Sequence, residues 1–184
     1  MQWLFPSPVL RTPLGLDDLR RQELKDKTLS IYGQFNPNRK PWSRSTRESL
    51  EGLDPAFADL FCQIKDTTSQ AFGVEVISIT GREVVQFKGD FIPPHVESSH
   101  LSAIYWVDGD AHPDHTHGEH DGALVLQSPI GPFGSKALPG EMRVCMVDPC
   151  PDLLLVFPSH LLHFGHVYLG DRPSVEIHME MEVI

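Results

Sequence analysis

SVEIHMEMEV, residues 174–183, alternates without a break: Val175, Ile177, Met179, Met181 and Val183 against Glu176, His178, Glu180 and Glu182. A period of two belongs to a β-strand, so one face of this strand is wholly apolar and the other wholly polar. Arg172 and Ser174 share the polar parity. In an ordinary sandwich that polar face is solvent. In a jelly roll with a cavity, the apolar face packs under helices and the polar face lines a pocket. The alternation alone does not choose between them.

Upstream, other runs share the β-like composition: VEVISIT (74–80), EVVQF (83–87), LSAIYWV (101–107), GALVLQS (122–128), EMRVCMV (141–147) and LLLVF (153–157), punctuated by Gly, Pro and Asp. Two helices are predicted before them. Residues 16–32 carry acids at their start and a loose apolar spacing at Leu16, Leu19, Leu24 and Ile31, and residues 54–72 offer Asp54 as N-cap, Pro55 in the first turn and a stripe of Phe57, Leu60, Phe61, Ile64 and Ala71. Between them, 36–47 is a polar loop with four basic residues, read as a solvated face or a lid. The expected fold is mainly β, a double-stranded β-helix (jelly roll, cupin-like) with two N-terminal helices packed on one sheet. One domain is expected over 1–184, with 1–72 as helical cover and 73–184 as the jelly-roll core.

The totals narrow the class. A net charge of −10 lacks the basic face that phosphate backbones require, so nucleic acid is excluded as the expected partner. The charge is uneven, with 10 Lys/Arg against 9 Asp/Glu in 1–72 and 5 against 16 in 73–184. Cys62, Cys145 and Cys150 cannot pair completely, and are read as buried free thiols in a reducing compartment. The N-terminus has neither a basic start nor a long apolar run, which predicts a cytoplasmic protein with no membrane partner.

All ten histidines fall between residues 95 and 178. Imidazole suits Fe, Zn, Cu and Ni, and two imidazoles with one carboxylate leave open positions suited to non-haem Fe(II) and oxygen. Upstream of His163 stand two H-x-[D/E] pairs, His95 with Glu97 and His112 with Asp114. The i, i+2 spacing aims both side chains of a pair to one side of an extended segment. Strand 101–107 between the pairs spans about 23 Å at roughly 3.3 Å per residue, so both cannot serve one ion. The stretch HPDHTHGEHD (112–121) is in itself a solvated loop able to take up transition metals, or a second metal site.

FPSHLLHFG (157–165) followed by GDRPSVEI (170–177), preceded by HVESSHLSAIYWV (95–107) and GALVLQSP (122–129), resembles the small 2-oxoglutarate/Fe(II)-dependent oxygenases. Their pattern runs H-x-[D/H], a strand like L-S-x-x-Y-Y, G-x-L, F-P-S-x-x-x-H and R-x-S. The opening LFPSPVL (4–10) also resembles a bacterial and phage branch. The resemblance implies that His163 is the distal metal ligand, that Arg172 binds the far carboxylate of 2-oxoglutarate, and that Ser174 assists it. It places the first ligands just before LSAIYWV, at His95 and Glu97, with His112 and Asp114 as the alternative pair. The activity implied is oxidation, by default hydroxylation, of a C–H bond of a small or amino-acid-like substrate, consuming O2 and 2-oxoglutarate and releasing succinate and CO2. A planar guanidinium suits a carboxylate whatever the family. Two rivals stand beside this reading: a cupin-like three-histidine dioxygenase or isomerase using His95, His100 and His163, and a non-catalytic metal-binding β-domain. A homodimer through a sheet edge or the helical extension fits a jelly roll this small.

Overall fold

The computed structural model describes residues 7–38, 49–128 and 143–184. Most of the basic loop read as a solvated face or lid, and the first residues of LFPSPVL, lie outside that range. Two sheets form. β1 (Leu10–Pro13), β6 (Leu153–Pro158), β3 (Leu101–Asp108), β8 (Ser174–Val183) and β2 (Val76–Gln86) pair in that order, and β5 (Val144–Val147), β4 (Leu124–Gln127) and β7 (Leu162–Gly165) make the second sheet. Every pairing is antiparallel. An isolated bridge between His95 and His163 lays the segment before β3 alongside β7. The two sheets enclose Ile104, Trp106, Leu124, Leu126, Leu155 and Phe157, and the architecture is a double-stranded β-helix.

Strand β8 resolves the ambiguity of its own alternation. Val175, Ile177, Met179 and Met181 are buried against Leu24, Ile31, Phe57, Phe61 and Ile64 of the helices. The polar residues therefore face the barrel interior, where Ser174 and Glu176 are buried as well. Each large apolar side chain taken from water in this layer contributes about 1.5–3 kcal/mol.

The helices are α1 (Asp18–Phe35), α2 (Leu50–Leu53) and α3 (Ala56–Phe72). Asp17 caps α1 by accepting the Arg20 amide at 2.7 Å, and Gly73 ends α3 with φ of 68°, the left-handed conformation that glycine adopts without cost. Leu19, part of the loose apolar spacing of residues 16–32, is 82% exposed, and Thr28 and Tyr32 are buried beside Leu24 and Ile31 instead. The N-terminal part also supplies β1, which extends the large sheet beside β6. The cysteines are free, but Cys62 and Cys150 are exposed, contrary to the expectation of buried thiols. Cys62 falls off the apolar stripe of α3, and Cys150 sits between two prolines after β5.

Two runs read as separate strands around Gly81 are one strand, β2, whose register with β8 runs through Gly81 opposite Met179. Glycine here serves packing and not a turn: a Cβ would collide with the Phe61 ring and lie 2.9 Å from Met179 Cγ. Gly81→Ala is expected to lower stability by about 1–3 kcal/mol, the usual cost of overpacking, read as an earlier urea midpoint with unchanged slope. No helix among the described residues is long and apolar enough to cross a membrane.

Candidate metal centre

β7 alternates, so His163 points into the barrel while Phe164 is only partly buried on the other face. The His163 ring is 2% exposed, lies edge-on to Phe157 with centroids 4.9 Å apart, and donates through Nδ1 to the Leu161 carbonyl at 2.9 Å. That bond fixes the tautomer and leaves Nε2 as the nitrogen with a lone pair to offer. Burial is the main cause that pushes the His163 pKa down to about 4, so the ring is neutral at pH 7.

His95 sits directly across from it. The two backbones exchange both hydrogen bonds at 3.0 Å, and the ring centroids are 4.2 Å apart. His95 repeats the device of its partner by donating through Nδ1 to the Pro93 carbonyl at 2.8 Å. Glu97, two residues on, brings Oε1 to 3.6 Å from His95 Nε2 and 3.5 Å from Arg82 Nη2. Among the described residues no three His, Cys, Asp or Glu side chains already stand around one point as ligands. Two imidazoles are in place, and the carboxylate is drawn toward Arg82.

The F-P-S stretch has a structural part in this. Ser159 is fully buried, its hydroxyl 2.8 Å from those of Ser99 and Ser102, and its carbonyl accepts the Glu97 amide at 3.1 Å. Phe157 supports the His163 ring from the preceding strand. The motif thereby holds the turn carrying His163 against the segment carrying His95 and Glu97.

Sequence reasoning missed Arg82 and Glu176 as site residues, while His178, read as a possible border of the pocket, lines it. Glu176 is buried and accepts from Gln86 Nε2 at 2.6 Å, Ser174 Oγ at 2.9 Å and His178 Nε2 at 2.8 Å. Arg82, opposite His178 in the β2–β8 register, pairs with Glu180 and Glu97. Arg82, Glu97, His163 and His178 line one small cavity; Glu97 and His178 also belong to a larger one of about 300 Å³ that opens between His95, Ile92, Val84 and Tyr32. The polar parity of β8 was the available signal for Glu176 and His178. Nothing in the sequence marked Arg82.

Other candidates lie elsewhere. The Arg172 guanidinium, 59% exposed, faces Asp108 and Asp110 at 3.8 and 3.5 Å, and Ser174 donates to Glu176. His112 and Asp114 belong to the loop after β3, where the His112 amide donates to Asp121 and Asp114 holds His117. His100 pairs with Glu182 on an exposed edge, so the three-histidine set with His95 and His163 is not brought together. The cause is parity: Ser99, one residue before, is the side chain turned inward to Ser159.

No protein-family model matches the chain, and no curated protein matches it in sequence. Solved structures do. A prolyl-4-hydroxylase from Pseudomonas putida superposes with a TM-score of 0.64 at 14% identity, covering 95% of this chain and 87% of the other. AviO1 from Streptomyces viridochromogenes Tue57 gives 0.66 at 15% identity over 96% and 90%. HygX from Streptomyces hygroscopicus, solved with nickel and 2-oxoglutarate bound, gives 0.66 at 11% identity over 96% and 82%. The chain shares its fold with these three proteins. At such identities the likeness speaks for architecture, and the chemistry has to be argued from the site.

Proposed function

We propose that this chain is a non-haem Fe(II)- and 2-oxoglutarate-dependent oxygenase acting on a C–H bond of a small-molecule or amino-acid-like substrate. The observation that carries the reading is the pair His95 and His163, side by side across the bridge between β7 and the segment before β3, each with Nδ1 tied to a carbonyl and Nε2 left to bind. With Glu97 they form the donor set of a two-histidine, one-carboxylate centre, which suits Fe(II) and leaves positions open for a keto acid and O2. HygX has been solved with iron bound and with nickel and 2-oxoglutarate bound, which supports the same pair of cofactors here. Bound Fe(II) with the keto acid would supply the oxidising power, taking up O2 and releasing succinate and CO2.

The protein's own part is positioning. His95 and His163 need no reorganisation of the backbone, while Glu97 has to turn from Arg82. That movement leaves Arg82 on the cavity wall with Glu180 as its remaining partner, and Arg82 is the cation we assign to the far carboxylate of the keto acid. Arg172 and Ser174, which the sequence resemblance implied for this role, have one observation in their favour: beside Ser174 the buried indole N–H of Trp106 finds no partner among the described residues, as a carboxylate receptor requires. Against it stand the contacts of Arg172 with Asp108 and Asp110, and the four residues, roughly 13 Å of strand, between Ser174 and His178.

The 300 Å³ cavity has apolar walls at Val84, Val85 and Ile92, with the carboxylates of Asp90 and Glu97 among its lining. It suits a compact substrate with an apolar body, and its acidic groups favour an amine over an anion.

Anaerobic addition of Fe(II) and then 2-oxoglutarate should produce the weak visible charge-transfer band of a chelated keto acid. The band should vanish in His95→Ala and persist in His112→Ala. Loss in both, or no band in the parent protein while Fe(II) binds, would overturn the assignment.

A further inference from the structure

The second histidine group of the sequence, in the loop after β3, meets two other elements on the outside of the small sheet. His115 Nδ1 and His120 Nδ1 are 2.9 Å apart, and His115 Nε2 is 2.8 Å from Asp148 Oδ1, one residue beyond β5. His166 follows β7, and its ring centroid is 4.6 Å from that of His120. It stands three positions after His163, so it projects from the opposite face of the strand, away from the barrel.

The loop is held in shape independently of these side chains. Asp114 and Glu119 exchange two backbone hydrogen bonds of 2.8 and 2.9 Å around a turn with Gly118 at φ +78°, and the Asp114 carboxylate accepts the Thr116 and His117 amides. At the loop's end, Ala123 N donates to His120 O, and His166 N donates to Ala123 O. His120 and His166 are thus fixed to each other through backbone bonds, and side-chain freedom is confined to ring rotation.

Two imidazole nitrogens at 2.9 Å share one proton. Replacing it by a tetrahedral ion with roughly 2.0–2.1 Å bonds asks the nitrogens to part by about half an ångström. We propose a second metal site here, distinct from the barrel centre, in which His115, His120 and His166 hold a divalent transition ion of the Zn(II) type with a fourth position left to water. Asp148 accepts the remaining N–H of His115, the carboxylate–histidine–metal arrangement that fixes a ligand's tautomer and orientation. The ion ties the loop to the ends of β5 and β7, so its binding stabilises the fold.

The test uses the full-length His163→Ala protein, stripped of metal, so that the barrel centre does not contribute to the count. Zn(II) titrated against a chromophoric chelator should show one saturable equivalent and a rise in Tm. His120→Ala in that background should abolish the equivalent, and His115→Gln should do the same with unchanged circular dichroism. Asp148→Asn should weaken it about 10- to 100-fold. Co(II) should give the intense visible absorption of a four-coordinate site. An equivalent that survives His120→Ala and His115→Gln, or its absence from the His163→Ala parent, overturns the proposal. Because the barrel reading is tested by the keto-acid band in the protein with His163 intact, either can fail alone.

Discussion

His163→Ala is expected to lose Fe(II) binding at the barrel centre by more than the roughly 100-fold that removal of an outer partner costs, and with it the turnover proposed above. The remaining donors, His95 and Glu97, come from one short extended segment, and His178, which lines the same small cavity, is bonded to Glu176. The same variant carries a stability signature. Burial holds the His163 pKa near 4 in the folded chain, against about 6.5 in an unfolded one. Because the unfolded state binds the proton more readily, the metal-free protein has its full stability above pH 6.5. It loses about 3 kcal/mol as pH falls from 6.5 to 4, with no further loss from this group below that. Urea midpoints taken across this range should fall for the parent and lack this contribution in His163→Ala. A parallel decline in both would mean that the ring is not buried in its neutral form.

Replacing the two arginines gives the second large expected effect. Arg82→Ala should raise the Kd for 2-oxoglutarate in the Fe(II)-loaded protein by more than about 30-fold, since truncating one side of a buried charged pair costs at least 2 kcal/mol. Arg172→Ala should change it little, because an exposed guanidinium 3.5–3.8 Å from two aspartates gains and loses little. The band titration reads both numbers. The reverse pattern would return the carboxylate clamp to Arg172 and Ser174 and leave Arg82 as a holder of Glu97 and Glu180.

The legible features were those set by local periodicity and capping. The stripe of α3 and the alternation of β8 depend on neighbours within a few residues and stand where the pattern put them, except that Thr68 and not Ala71 is buried and that Pro55, not Asp54, is the N-cap, the Asp54 carboxylate accepting the Ala56 amide at 2.8 Å. Gly81 misled because a glycine between two apolar runs has the same appearance whether it makes a turn or admits a neighbouring ring. Only the Phe61 side chain, twenty residues away, distinguishes the two.

Site geometry divided in the same way. That His95 and Glu97 share one segment, and that His163 follows a turn after a buried strand, was written locally. That β7 lies against the His95 segment, with both Nδ1 atoms satisfied by carbonyls, comes from strand order and register. Arg82 meets Glu97 because β2 pairs with β8 at the register that sets it opposite His178. Arg172 faces Asp108 and Asp110, which the β3–β8 pairing brings beside it. The sequence by itself determined which strands have two chemically distinct faces and which residue types could hold a metal, since both follow from near-neighbour spacing. Which face turned inward, and which charges met, was decided by tertiary structure, because helices burying Val175 through Met181 leave the carboxylates and imidazole of β8 nowhere to point but into the barrel.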